Sequence, residues 1–142
     1  MTETVQPRTA AVRFAVAGDL MQTSRAGAGR LPAMTLKLRS VAGSDRGLIR
    51  SGNQDAVYAG EWLVGVADGM GGMAAGDLAS TVTIEAVRAL DVPVPEEALV
   101  AALQQGIATA QARIRDAVAE DPERQGMGTT LTALLLARSG TC

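Results

Sequence analysis

The 142-residue sequence predicts an α+β domain, and three observations carry that expectation. Residues 62–76 read WLVGVADGMGGMAAG: a valine-rich apolar run, a lone aspartate, four glycines among the next eight residues, then helix-forming residues. Two later stretches repeat apolar residues at helical spacing. Residues 129–137, TTLTALLLA, have the β-branched and leucine-rich content of a strand with neighbours on both sides.

In chain order, residues 1–33 carry four arginines against Glu3 and Asp19 and hold no sustained period, so they are expected to be a flexible tail or a mis-assigned start ahead of Met34. Their apolar patch AVRFAVAG is interrupted by Arg13 and makes a poor secretory core. Residues 35–42, TLKLRSVA, alternate apolar and polar as a half-buried strand does. A polar loop with a short extended piece at 48–50 leads to a second strand at 56–59, a tight turn at Gly60-Glu61, and a strand at 62–67 that ends in Asp68. That hairpin carries Asp55 and Asp68 to one rim. A helix is expected from about 76 to 90, with Asp77 at its N-terminus and Leu78, Val82 and Ala86 on one face. Pro93 and Pro95 break it. Pro95, Glu96 and Glu97 then open a second helix, whose Leu99, Leu103, Ile107, Ala110, Ile114 and Val118 form a face to lay on a sheet. Pro122 stops that helix before the last strand.

The bulk numbers remove several function classes. A net charge of −2 and only three aromatic residues, Phe14, Tyr58 and Trp62, leave neither a phosphate-tracking stripe nor a base-stacking platform, so nucleic acid is not expected as a partner. No apolar run approaches the ~20 residues of a membrane span, so no membrane contact is expected, and with no disulfide framework in prospect the expected compartment is the cytoplasm. The lone Cys142 builds no disulfide framework. With no histidine, imidazole-based triads and imidazole-ligated zinc are excluded within this chain. The remaining chemistry belongs to carboxylates, arginine and backbone.

Arg50, Asp55 and Asp68 fall at ends or loops flanking the hairpin. A guanidinium suits phosphate oxygens, and carboxylates with a glycine carbonyl suit Mg²⁺ or Mn²⁺. A surface ion pair plus an Asp-Gly turn accounts for the same residues without any ligand. Gly69, Gly71 and Ala74 also match G-x-G-x-x-A, a dinucleotide-binding fingerprint. Against it, Asp68 would set a negative charge beside the pyrophosphate, and Asp91 sits in a proline-broken linker rather than at a second strand end.

The segments SDRGLIRSGNQD, VGVADGMGGMAAGDLAS and GMGTTLTA, in this order, resemble the N-terminal part of the catalytic domain of bacterial metal-dependent serine/threonine protein phosphatases of type 2C, the PPM family. The similarity runs from about residue 36 to residue 137. It implies a β-sandwich flanked by helices in four layers, αββα, of which residues 34–142 would be the N-terminal part, truncated at the C-terminus. It also implies hydrolysis of phosphoserine and phosphothreonine in proteins by a metal-activated water, with no phospho-enzyme.

By the same resemblance Arg50 binds the substrate phosphate, Asp68 bridges two Mg²⁺ or Mn²⁺ ions, and the Gly69 carbonyl is a ligand of the second ion. Asp55 is the acidic residue near that cluster, and Gly128, Thr129 and Thr130 form a structural motif before a core strand. Gln54 stands where many members have glutamate, and Met70 where many eukaryotic relatives have a histidine. The family's later aspartate motifs, which complete the metal site, are absent. The expectation is therefore a phosphatase copy of doubtful activity by itself, with exposed sheet surface that invites association. The alternative is a non-catalytic remnant or interaction module.

Overall fold

The computed structural model describes residues 11–18, 36–44 and 52–139. Eight elements organise them: β1 (Ala11–Gly18), β2 (Leu36–Gly43), β3 (Asp55–Ala59), β4 (Leu63–Met70), α1 (Met73–Val87), α2 (Leu99–Glu120), β5 (Gly128–Thr129) and β6 (Thr132–Leu135). All strand ladders are antiparallel. β1 and β2 form a two-stranded ribbon beside β3, tied to the main sheet where the Ser40 hydroxyl donates to the Gly60 carbonyl at 3.1 Å. The segment expected as a tail therefore includes a strand: AVRFAVAG finds its partner in residues 36–43, a pairing between distant segments that local periodicity does not reveal.

The main sheet is organised by β4, with β3 on one side and β5 and β6 on the other. Side chains alternate across a strand. Leu63, Gly65, Ala67 and Gly69 face α1, and Ala67 packs with Ile84 and Val87 of that helix in a core shared with Leu63, Val94 and Leu135. Val64 turns to the opposite face, where it packs with Trp62, Leu134 and Leu136. Burying Leu63 completely contributes about 2 kcal/mol. β4 does not stop at Asp68 as expected; it runs two residues further, because Gly69 and Met70 pair with Thr129 and Gly128.

α1 begins at Met73, three residues earlier than the spacing predicts, and passes at Val87 into a 3-10 turn, Arg88–Leu90. Asp77 therefore lies inside the helix and not at its N-terminus. Gly72, with φ 85°, caps the helix and accepts at its carbonyl the bond from the Gly76 N–H at 2.8 Å. α1 comes close to the sheet because glycine meets glycine: a Cβ on Gly69 would overlap the Gly76 carbonyl.

α2 follows a 3-10 turn, Glu96–Ala98, and packs chiefly on α1 rather than laying its face on the sheet. Gly106 permits this approach, since a Cβ there would come within 2.9 Å of Leu90 Cδ1. Only Leu99, Ala102 and Leu103, at the N-terminal end of the helix, reach the sheet-side core. Of the face expected inward, Ala110 is buried and Leu99, Leu103, Ile114 and Val118 are half-buried, whereas Ile107 is exposed. The C-terminal run, expected to be a central strand, instead lies at the edge of the sheet among the described residues. The structure is thus α+β, a helix layer on an antiparallel sheet with a second ribbon alongside. Its antiparallel ladders rule out the dinucleotide reading, which requires a parallel sheet.

Candidate metal and phosphate site

Asp55 and Asp68 are direct cross-strand partners. The Gly69 N–H donates to the Gln54 carbonyl at 3.0 Å, which makes the neighbouring Asp55–Asp68 position a non-hydrogen-bonded pair, the kind whose side chains approach most closely. Both carboxylates lie on the face of the sheet away from α1, at the end of the row Val64, Val66, Asp68. Two like charges directly opposite one another on a sheet face are mutually destabilising, by about 1 kcal/mol at about 5 Å in bulk water. Asp68 is exposed and Asp55 partly buried.

Asp68 is held through its main chain. The Thr130 N–H donates to the Asp68 carbonyl at 2.9 Å, and the Asp68 N–H donates to the Thr130 hydroxyl at 3.2 Å. Among the described residues no hydrogen bond reaches the Asp68 carboxylate or the Gly69 carbonyl, which points toward β3. On the β3 side, the Asn53 side chain accepts from the Asp55 N–H at 3.1 Å and donates to the Ser44 hydroxyl, fixing the entry to the strand.

The donor set fits a hard divalent cation: two carboxylates and an open backbone carbonyl, all oxygen. Among the described residues no group of three or more potential acidic, histidine or cysteine ligands is gathered, so this part of the chain brings two carboxylates to the rim. Gln54 does not point into that set. Its amide donates to the Gly72 carbonyl at 2.7 Å, tying β3 to the cap of α1. Met70 is exposed at the end of β4. Arg50 and the extended piece expected at 48–50 lie outside the described residues.

One carboxylate was missed by sequence reasoning. Asp91, read as part of a linker, accepts from the Trp62 N–H at 2.6 Å, the Leu63 N–H at 3.0 Å and the Tyr58 hydroxyl at 2.8 Å. It closes the far end of the hairpin, where Gly60 leaves room for it, since a Cβ at that position would overlap the carboxylate. Donating to Asp91, with added burial and the nearby negative charge, raises the Tyr58 pKa above 10.0.

No family model matches the chain. The serine/threonine protein phosphatase PstP of Mycobacterium tuberculosis is 48% identical over 104 residues, 73% of this chain and 20% of that protein. A crystal structure of the M. tuberculosis phosphatase PstP superposes with a TM-score of 0.64 at 36% identity, covering 89% of this chain and 43% of that one. The catalytic domain of PstP in complex with two manganese ions gives a TM-score of 0.63 at 36% identity, covering 91% and 45%. A serine/threonine phosphatase of S. agalactiae, at 22% identity and a TM-score of 0.55, shares the fold. The chain spans about a fifth of the curated relative and under half of each solved structure. In sequence and in fold, with the antiparallel hairpin and helix layer in place, the chain is similar to part of the catalytic domain of these bacterial serine/threonine protein phosphatases.

Proposed function

We propose that this chain carries the hairpin part of a metal-dependent protein serine/threonine phosphatase site, acting on phosphoserine and phosphothreonine proteins in the cytoplasm. The observation that supports the reading best is the facing pair Asp55 and Asp68 beside the open Gly69 carbonyl. Asp68 and Asp55 would hold Mg²⁺ or Mn²⁺ by carboxylate oxygens, Gly69 would add its carbonyl, and Arg50 would bind the substrate phosphate with its planar fork. Bound metal would supply an activated water and offset charge on the phosphoryl oxygens. The protein's own share is to space the carboxylates by strand register and to seat α1 closely behind the rim through the Gly69–Gly76 contact.

Two carboxylates supply only part of the oxygen donors that two ions require, so this segment by itself is expected to turn over slowly or not at all. Its sheet edge is expected to favour association. Hydrolysis of a phosphothreonine peptide with and without Mn²⁺, set beside a phosphatase spanning the whole fold, tests both parts. Weak Mn²⁺-dependent turnover abolished by Asp68→Ala supports an active site, and no turnover with retained Mn²⁺ binding supports the incomplete one. Turnover unchanged by chelator, or unchanged by Asp68→Ala, contradicts the reading. The alternative, a non-catalytic interaction module, predicts neither turnover nor Asp68-dependent metal binding.

A further inference from the structure

We infer that Thr130, from a motif with a packing role only in the sequence reading, is a positioning residue for the Asp68 carboxylate and the Gly69 carbonyl; the inference rests on the metal-site reading above. β5 and β6 share one register on β4: Gly69 pairs with Thr129 and Val66 with Thr132, three residues apart on both sides. They are one strand interrupted at residues 130–131, opposite Asp68 and Ala67. At the interruption the ladder bond from the Asp68 N–H goes to the Thr130 hydroxyl instead of the Thr130 carbonyl. That carbonyl is taken by the Thr129 hydroxyl at 2.9 Å. The return bond, from the Thr130 N–H to the Asp68 carbonyl, is kept. The two threonines thus exchange a side chain for a backbone acceptor at the one position where β4 carries its rim aspartate. A serine retains the exchange, and an alanine or valine removes the acceptor and leaves the Asp68 N–H without its partner. Because Thr130 is exposed, the substitution removes little packing.

The test compares wild type with Thr130→Ala, Thr130→Val, Thr130→Ser and Asp68→Asn by Mn²⁺ titration and by hydrogen exchange at the Asp68 amide, with melting temperature as a fold control. Thr130→Ala and Thr130→Val are expected to weaken Mn²⁺ binding by about tenfold, in the range found for groups that orient metal ligands, and to speed exchange at Asp68 more than at Leu63 or Val64. Thr130→Ser is expected to restore both. Should the valine variant fail to fold, the serine and alanine pair decides the matter, since these differ only by the hydroxyl. Wild-type binding that Asp68→Asn loses but Thr130→Ala retains overturns the positioning role alone. Absence of any Asp68-dependent Mn²⁺ binding in wild type overturns the metal-site reading, and the positioning role with it.

Discussion

The β3–β4 hairpin has carboxylates at both ends, and the two ends are built differently. At the turn, a single carboxylate, Asp91, meets two backbone N–H groups and a phenol, so its charge is satisfied within the fold. At the rim, Asp55 and Asp68 face one another, and the hydrogen bonds around Asp68 go to its main chain while its side chain stays exposed. A satisfied carboxylate is a structural part. One held by its backbone and presented outward leaves its charge open to solvent.

Substituting both ends separates these roles. Asp91→Ala strands two N–H groups and a hydroxyl and is expected to lower unfolding stability by about 3 kcal/mol, whereas Asp68→Ala relieves like-charge repulsion and is expected to change it by about 0.5 kcal/mol or less. Chemical denaturation of the two variants side by side reads the difference, and equal losses would erase it. Gln54→Glu comes next in size. A carboxylate cannot donate to the Gly72 carbonyl, so the tie to the α1 cap is lost and about 1 kcal/mol of stability with it. Amide exchange at Gly76 reports that loss locally.

The smallest effect is titration at the turn end. The Tyr58 pKa is raised in the folded state, so the stability from its hydrogen bond to Asp91 is fully present below pH 10.0 and is lost as pH rises through the higher folded value. Thermal melts from pH 9 upward should show that alkaline loss, and Tyr58→Phe should lack it.

The rim was legible in the sequence because its signals are local. A valine-rich apolar run ending in Asp68 marks β4, and the tight turn at Gly60-Glu61 sets β3 beside it. The turn end was not legible, since Asp91 meets partners 28 to 33 residues away while its own neighbours spell a proline-broken linker. The end of β4 was hidden for a related reason. Gly69 and Met70 look like a turn until Gly128 and Thr129 pair with them. The α2 face was misjudged at Ile107 because periodicity identifies an apolar stripe but not the surface that receives it, and Gly106 draws the helix onto α1. The alternation in AVRFAVAG is too weak to announce a strand without its partner β2.

Mn²⁺ titration followed by paramagnetic broadening of amide resonances decides whether the Asp55–Asp68 rim binds a divalent cation. Broadening is expected to centre on Asp55, Asp68 and Gly69 in the wild-type chain, to be absent from Asp68→Ala and to spare Leu63 and Asp91 at the other end of the hairpin. Broadening that centres elsewhere, or that persists unchanged in Asp68→Ala, would contradict binding at the rim.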